Sequence, residues 1–347
     1  MGTTLRGAVI GCGFFAANHL NSWRQIEDVD LIAVCDLDES KAKAAAETFG
    51  VPNHYNDAAS MLAAEKPDFV DIITTMPTHR PLVELAASLG IPMIVQKPFA
   101  PTIADCEAMV NAAAAAAVPL MIHENFRFQT PLKAVRNVLD DGVIGKPFYG
   151  RITWRTAYDV YVNQPYLATE ERFIILDVGI HLLDVARFLF GEASSLSCRT
   201  ASIKPGIKGE DSAFMLLGHE RGTTSVIEAS FYSHQHPDTF PQTLIEIDGA
   251  DGTLALTSDY QLKVTDPTGT IRSSVEPTLL PWAEKPWHLI QESVLETQRH
   301  WIDCLKSGKE PSTSGADNLK TYALCEAAYA SAARGDTVDP ALMLSGI

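Results

Sequence analysis

The feature that most limits how this chain can fold lies near its start, where an apolar strand runs into a glycine turn. The run Leu5–Ile10 is followed by Gly11, Gly13 and Ala16, and residues 16–26 have a helix-like pattern. Gly11 permits a tight turn, Gly13 lets the backbone approach a pyrophosphate, and Ala16 allows close packing of helix on strand. The helix N-terminus adds free N–H groups and a partial positive charge, which suit phosphates.

A second strand strengthens the case for a bound dinucleotide over a glycine turn that binds nothing. The run Asp30–Cys35 ends at Asp36, about twenty residues beyond Ala16, where a carboxylate accepts hydrogen bonds from an adenosine ribose. An aspartate that ends a strand is common on protein surfaces. Asp36 therefore indicates a dinucleotide site only in combination with the glycine motif before it. The negative charge of Asp36 repels the 2′-phosphate of NADP, and the next residues, Leu37 and Asp38, supply no positive charge to bind that phosphate. The sequence predicts NAD as cofactor.

The spacing of the remaining apolar runs predicts two domains of different class. Strand and helix patterns alternate up to residue 124, which indicates an α/β Rossmann domain with a parallel sheet. Ligands then bind beyond the carboxyl ends of the strands. Those ends are Gly11, Asp36, Thr74, Gln96 and Glu124. Residues 125–347 contain strand-like runs and two closing helices, and predict an α+β domain with a large, mostly antiparallel open sheet.

Composition excludes several kinds of partner. A chain of 347 residues suits two domains, and a net charge of −16 argues against nucleic acid or an anionic membrane. No apolar run reaches the length of a membrane span, and Met1–Thr4 lack the features of a secretory signal, so none is expected. The six cysteines are scattered without C-x-x-C spacing, which fits free thiols in a reducing cytoplasm.

Lys97 is the first candidate for chemistry. It follows the fifth predicted strand in the segment Gln96-Lys97-Pro98-Phe99, and Pro98 favours an extended backbone at Lys97. An ammonium group at this edge of the sheet can hydrogen-bond a substrate hydroxyl and lower its pKa. The alternative is a solvated lysine in a loop.

Asp177 and His181 are the second candidate. The predicted helix over residues 177–189 begins with Asp177-Val178-Gly179-Ile180-His181, and an i, i+4 spacing places both side chains on one helical face. A histidine there suits removal of a hydroxyl proton near neutral pH, and the carboxylate can orient it. The alternative is a helix-capping aspartate and a core histidine.

Other reaction classes lack their motifs. The chain has no G-x-S-x-G elbow and no H-E-x-x-H, and His234 and His236 lie in a proline-flanked loop, so no metal is expected. Arg127 follows the sixth predicted strand and suits either substrate hydroxyls or a structural carboxylate. The aromatic segment 158–166 suits closure on a nicotinamide or sugar, or a place in the core.

Taken together, these motifs resemble the glucose–fructose oxidoreductase/inositol dehydrogenase/rhizopine catabolism family. The resemblance covers essentially the whole chain and rests on Gly11-x-Gly13-x-x-Ala16, Lys97-Pro98 and Asp177-x-x-x-His181. It implies a Rossmann domain followed by an α/β domain whose open sheet forms dimers or tetramers. Members of the family usually have glutamate before Lys-Pro, whereas this chain has Gln96. A neutral amide in place of a carboxylate changes the electrostatic environment of Lys97.

The resemblance also implies roles for individual residues. Lys97 and His181 are implied to be catalytic, with Asp177 beside them, and Asn125 and Arg127 are expected to join these three in binding the substrate. The implied cofactor surface consists of Gly11, Gly13, Phe14, Phe15, Asp36, Thr75, Pro77, His79, Gln96, Lys97 and Gln164.

Four segments resemble one group within this family, whose members oxidise a branched pentose at its anomeric carbon to the lactone with NAD. These segments are residues 11–16, 95–100, 123–129 and 164–167. The expected activity is that of an NAD-dependent sugar dehydrogenase acting on the anomeric carbon of an aldofuranose. The alternatives are an inositol or other polyol or aldose dehydrogenase of the same family, and a non-catalytic NAD(H)-sensing protein. The presence of both Lys97 and His181 argues against the sensor.

Overall fold

The structure, a computed structural model, describes residues 4–344. The stretch Met1–Thr3, which bears on the expected lack of a secretory signal, lies outside the described residues. Internal packing divides the chain into two units. The first contains the residues up to Asn125 together with Val294–Leu319, and the second contains Phe126–Ser293 and the residues from Lys320 onward. The predicted boundary at 124/125 falls one residue from the first of these breaks.

The first unit is built on a six-stranded parallel sheet with strand order β3-β2-β1-β4-β5-β6. Strands and helices alternate along the chain, because each pair of parallel strands needs a crossover connection, usually a helix. The elements are β1 (Leu5–Ile10), α1 (Ala16–Trp23), β2 (Val29–Cys35), α2 (Glu39–Phe49), β3 (Asn53–Tyr55), α3 (Ala58–Glu65), β4 (Phe69–Ile72), α4 (His79–Ser88), β5 (Met93–Gln96), α5 (Ile103–Ala115) and β6 (Leu120–His123).

Local sequence explains where several of these helices begin and end. The side chains of Asp38, Asp57 and Thr102 cap the N-termini of α2, α3 and α5 by accepting backbone N–H bonds. Gly50 ends α2 in the left-handed conformation, with φ 71°. Because β1, β2, β4 and β5 pair in parallel, their carboxyl ends lie at a common edge of the sheet.

The second unit is built on an eight-stranded sheet with order β14-β13-β12-β11-β7-β10-β9-β8. All neighbours are antiparallel except β7 and β10, which pair in parallel. The elements after the first unit are α6 (Thr130–Asp140), β7 (Pro147–Arg155), α7 (Ile180–Phe190), β8 (Ala193–Ala201), β9 (Ser212–His219), β10 (Thr224–Ser230), β11 (Leu244–Gly249), β12 (Thr253–Thr257), β13 (Gln261–Asp266), β14 (Gly269–Ser274), α8 (His288–Ser307) and α9 (Gly315–Arg334).

The two faces of the large sheet differ in character. On the inner face α7 packs against β7 and β10. Gly150 is required there, because a Cβ atom would lie 2.3 Å from the ring of Phe190. The outer face carries Phe214 and Leu216, with 45% and 49% of their surfaces exposed, beside ion pairs from Arg151 to Glu228 and Glu246.

The predicted fold class is confirmed in both units. Among the elements predicted from the apolar runs, the helix over residues 39–49 and the strand over residues 120–123 have the predicted bounds, and most of the others shift by one to three residues at their ends. Strand β14 was not predicted, because all its residues are exposed and it lacks an apolar side to reveal it. None of the helices within residues 4–344 is both long and apolar enough to cross a membrane.

Candidate active site

The glycine turn after β1 has the geometry that the motif predicts. Gly11 has φ 102°, and a Cβ atom there would lie 2.6 Å from the carbonyl oxygen of Ile73. Only glycine fits this conformation and this close approach. At Gly13 a Cβ atom would meet no atom of the described chain within 4 Å, apart from its sequence neighbours. The turn therefore presents open space at the position where the backbone is expected to approach a pyrophosphate.

Asp36 follows β2 and its carboxylate is held in place by backbone N–H groups. Cys12 donates to one oxygen at 2.8 Å, and Asp38 donates to the other at 2.9 Å. Burial, with Asp36 nearby, raises the pKa of the Cys12 thiol to about 12, so this thiol is uncharged. Leu37 and Phe14 are 90% and 68% exposed. An oriented carboxylate with exposed apolar side chains beside the glycine turn fits the ribose and adenine of NAD.

The loop after β4 lies at the same edge of the sheet. It contains the 3₁₀ turn Met76–Thr78, preceded by Thr75 and containing Pro77. His79 begins α4 and is fully buried, with its ring nitrogens 3.0 Å from the carbonyl oxygen of Phe99 and 3.1 Å from that of Thr74. Burial lowers the pKa of His79. Its side chain holds the loop, and a contact between His79 and the cofactor stays a prediction.

Lys97 begins the segment after β5, at the edge of the sheet that also carries the glycine turn. It is half-buried, and the Lys97–Pro98 peptide bond is cis. The backbone N–H of Lys97 donates to the side-chain oxygen of Gln96 at 2.7 Å, and Gln96 is itself buried. The first unit thus brings together the glycine turn, Asp36, Gln96 and Lys97. Asn125, the last residue before the chain enters the second unit, is buried.

In the second unit Asp177 lies in a π-helical segment, which corrects the predicted α-helix over residues 177–189. The π segment is Ile175–Gly179, and α7 continues from it at Ile180. The N–H of Ile180 reaches the carbonyl oxygen of Ile175, five residues back. A π turn holds one more residue than an α turn and often marks a functional site. Asp177 therefore lies within the widened turn, and His181 lies two residues beyond its end.

A remote carboxylate holds the start of this segment. Glu210 is buried and accepts the backbone N–H groups of Phe173 and Ile175, each at 3.2 Å. The Tyr329 hydroxyl donates to the same Glu210 oxygen at 2.7 Å. The carbonyl oxygen of Glu210 also accepts from Ile174 N–H at 3.1 Å. Glu210 is not among the predicted site residues, because a single glutamate in a loop carries no motif that reveals its role.

His181 is buried and stacks on a neighbouring aromatic ring. The Phe126 and His181 rings are parallel within 1°, with centroids 3.9 Å apart. Stacking fixes the plane of the imidazole, and so limits the directions in which its nitrogens can take a proton. Both the proposed catalytic role and the core-histidine alternative are compatible with this burial.

Arg127 binds a structural carboxylate, the second of its two predicted options. Its guanidinium makes a bidentate ion pair with the fully buried Asp184 of α7. Nε donates to one carboxylate oxygen at 2.7 Å, and Nη2 donates to the other. A substrate contact by Arg127 stays a prediction. In the aromatic segment, Gln164 accepts a hydrogen bond from the Tyr166 hydroxyl at 2.9 Å, and its predicted contact with the cofactor also stays a prediction.

Each unit supplies side chains that suit hydride-transfer chemistry. The described residues, 4–344, contain no group of three or more His, Cys, Asp or Glu side chains placed to hold an ion. The first unit provides a dinucleotide surface and an ammonium group, and the second provides an imidazole and a carboxylate. A cation and a base of these kinds are what oxidation of an alcohol needs.

Comparisons with known proteins agree with this geometry. Residues 5–124 match the NAD-binding Rossmann fold of the GFO/IDH/MocA oxidoreductase family, and residues 132–255 match the GFO/IDH/MocA C-terminal domain. The chain is 54% identical over 334 residues to the D-apiose dehydrogenase of Paraburkholderia graminis, which covers 96% of this chain and 89% of that protein. It is 52% identical to the D-apiose dehydrogenase of Rhizobium rhizogenes, covering 99% of each chain.

A solved structure shows the same fold. An oxidoreductase from Agrobacterium radiobacter, in complex with NAD+, L-tartaric acid and magnesium, superposes with a TM-score of 0.97 at 52% identity, over 99% of this chain and 100% of that one. The predictions of family, NAD as cofactor and oxidoreductase activity are confirmed. The chain belongs to the GFO/IDH/MocA family of NAD-binding oxidoreductases.

Proposed function

We propose that this enzyme is a D-apiose dehydrogenase, which oxidises the anomeric carbon of the furanose to D-apionolactone. The observation that carries the proposal is the likeness over nearly the whole chain to two proteins of that name. The inositol dehydrogenases, at 28% identity, are much less similar. The candidate catalytic groups Lys97, Asp177 and His181 support an enzyme over a sensor.

In the proposed reaction His181 takes the proton of the anomeric hydroxyl. As that O–H bond breaks, the C–H electron pair leaves the anomeric carbon and the oxygen becomes the lactone carbonyl. Bound NAD supplies the acceptor for this hydride. Lys97 stabilises the negative charge that develops on the oxygen, and Asp177 favours the protonated form of His181 by its own charge. Atoms and charges balance, with one hydride and one proton leaving the sugar.

Residues of the first unit hold the cofactor in this proposal. The N-terminus of α1 follows the glycine turn, and its partial positive charge favours the pyrophosphate there. Gly11 and Gly13 allow the close approach, and Asp36 accepts the ribose hydroxyls. Thr75 and Pro77 border the nicotinamide half, with Gln96 and Lys97 at the reacting end.

A substrate screen tests the proposal. The purified enzyme, at saturating NAD, is given D-apiose, myo-inositol and D-glucose, and the absorbance of NADH is followed. We expect the highest kcat/KM with D-apiose, and the lactone as product by mass spectrometry. Deuterium placed at the anomeric carbon should appear in the reduced cofactor.

The outcomes separate the alternatives. Faster turnover of myo-inositol or D-glucose would reassign the substrate within the same chemistry. Binding of NADH with no hydride transfer to any of these sugars would favour the sensor. Transfer of deuterium from another carbon would reject anomeric oxidation.

We also propose that the enzyme forms a homo-oligomer and that it lies in the cytoplasm. The outer face of the large sheet, with Phe214 and Leu216 exposed, is proposed to pack against a second copy of the chain, since exposed apolar residues grouped on a sheet suit burial in an interface. All six cysteines are free thiols, which suits a reducing cytoplasm.

A further inference from the structure

A row of buried polar side chains in the first unit ends at the residue before Lys97. Asp71 on β4 and His19 on α1 are both fully buried, and His19 Nδ1 lies 2.8 Å from Asp71 Oδ2. His19 Nε2 lies 3.4 Å from the side-chain nitrogen of Gln96. Gln96 in turn accepts the backbone N–H of Lys97 at 2.7 Å. Residues from three separate segments of the chain thus form one row of contacts.

The direction of every hydrogen bond in this row follows from one fixed donor. A backbone N–H can only donate, so the Gln96 atom facing Lys97 must be the oxygen, and the amide nitrogen must face His19. Because an amide nitrogen only donates, His19 Nε2 must be the accepting nitrogen. The ring proton is then on Nδ1, where it donates to the carboxylate of Asp71.

Two further contacts support this arrangement. Trp23 Nε1 donates to the same Asp71 oxygen at 2.7 Å, which supplies a second donor to a carboxylate with no access to solvent. The ring of His123, also fully buried, lies against the His19 ring with centroids 4.2 Å apart. The imidazole is therefore restrained in its plane as well as at both nitrogens.

We propose that Asp71 and His19 are positioning residues, which fix the Gln96 amide and through it the backbone at Lys97. This inference rests on the catalytic role proposed for Lys97. It explains why position 96 carries an amide, since glutamine donates to His19 and accepts from Lys97 at once. A carboxylate could only accept, unless His19 carried a proton on Nε2. His19, Asp71 and Gln96 therefore position the backbone at Lys97 together.

Nitrogen NMR of the histidine rings tests the hydrogen-bond directions without any assay of activity. In the holoenzyme with ¹⁵N-labelled histidine, we expect His19 to have a protonated Nδ1 and an unprotonated Nε2. The His19→Asn variant identifies the signal by its loss. In Gln96→Glu we expect Nε2 to gain a proton. A parent His19 protonated at Nε2 would overturn the proposal.

Kinetics test the positioning role. In His19→Asn the shorter amide can still donate to Asp71 but no longer reaches Gln96. We expect kcat to fall by about 10- to 100-fold, with little change in NAD affinity, because displacement of a supporting side chain misplaces the reacting group. Gln96→Leu, whose side chain can neither donate to His19 nor accept from Lys97, should lower kcat in the same way. Parent kcat in both variants would overturn the positioning role.

A matched control and a separate variant keep the two proposals apart. Trp23→Phe removes the other bond to Asp71 and leaves the row to Gln96 intact, so it should keep kcat near the parent value even if its melting temperature falls. A large loss of kcat in Trp23→Phe would show a general packing effect and overturn the proposal. Full activity in Lys97→Ala, with the expected His19 tautomer, would instead overturn the proposed role of Lys97.

Discussion

At the scale of single residues, Asp36 combines recognition of the cofactor with local structure. Its oxygens accept the N–H groups of Cys12 and Asp38, so the carboxylate is oriented before any ligand binds. A group held in this way loses little conformational entropy on binding. The same negative charge opposes the extra phosphate of NADP.

The first prediction follows from that charge. Asp36→Asn keeps an acceptor for one backbone N–H and removes the repulsion, so we expect the ratio of kcat/KM for NADP to that for NAD to rise by about 10-fold, corresponding to about 1.4 kcal/mol. Steady-state kinetics with both cofactors measure it. Asp38→Asn, two residues away, serves as the control and should leave the ratio nearly unchanged. An unaltered ratio in Asp36→Asn would contradict the role of Asp36.

His181 provides the second prediction at this scale. If it takes the hydroxyl proton, His181→Ala should lower the rate of hydride transfer by ~10²–10⁴-fold. Because its ring is buried on Phe126, the variant should also melt at a lower temperature. Melting temperature, NAD affinity and single-turnover rate therefore need to be measured on one preparation.

A second variant separates packing from chemistry at His181. Phe126→Leu removes the stacked ring and keeps the imidazole, so it should lose stability with a much smaller loss of rate. A folded His181→Ala enzyme that transfers hydride near the parent rate would leave only the core-histidine interpretation.

At the scale of elements, the π segment Ile175–Gly179 shows what a sequence pattern can and cannot provide. The i, i+4 pair of Asp177 and His181 marks a helical turn, but the pattern is compatible with an α turn or a wider one. Glu210 holds the start of the segment and is distant in sequence, so local residues could not predict it. The glycine turn was predictable because its conformation depends on residues within the motif itself.

The same reasoning explains the other differences at this scale. Arg127 was assigned two options because a cation in sequence does not reveal its carboxylate, and the fold supplies Asp184 from α7. The row from Asp71 to Gln96 was not foreseen, since it joins β4, α1 and β5 through the interior of the first unit. Contacts between distant segments are settled by packing, which periodicity does not describe.

The third prediction tests the anchor of the π segment. Glu210→Ala leaves two buried backbone N–H groups and the Tyr329 hydroxyl without their acceptor, so we expect a loss of about 1–3 kcal/mol for each N–H that remains unpaired. We also expect kcat to fall more than KM changes, because Asp177 lies in the turn that Glu210 holds. Chemical denaturation and steady-state kinetics measure the two effects.

The control for Glu210 lies at the other end of α7. Glu192 pairs there with Arg187, which lowers the pKa of that carboxyl to about 2. Glu192→Gln should lower stability and leave kcat unchanged, because the pair is remote from the π turn along the helix. If Glu210→Ala and Glu192→Gln affect kcat alike, the π segment has no special part in positioning Asp177.

At the scale of the whole molecule, the exposed face of the large sheet leads to the fourth prediction. Leu216→Asp places a charge among the exposed apolar residues of that face, so it should shift a dimer or tetramer toward the monomer in sedimentation at micromolar concentration. Ile271→Asp changes an exposed apolar residue whose register with Val264 and Leu254 puts it on the opposite face. It should leave the mass unchanged. A monomeric parent protein would contradict the proposed oligomer.

The return of residues 294–319 to the first unit has a consequence for the order of events during synthesis. Strand β6 is complete when residue 123 leaves the ribosome, yet its Ile122 N–H bonds the carbonyl oxygen of Thr313 at 2.8 Å, and Thr313 donates its hydroxyl back at 2.7 Å. The nascent chain must therefore grow by about 190 further residues before this edge is covered, a long interval in which an unpaired strand edge is open to misassembly. The unit whose translation begins first therefore stays incomplete until the chain has been made as far as Leu319.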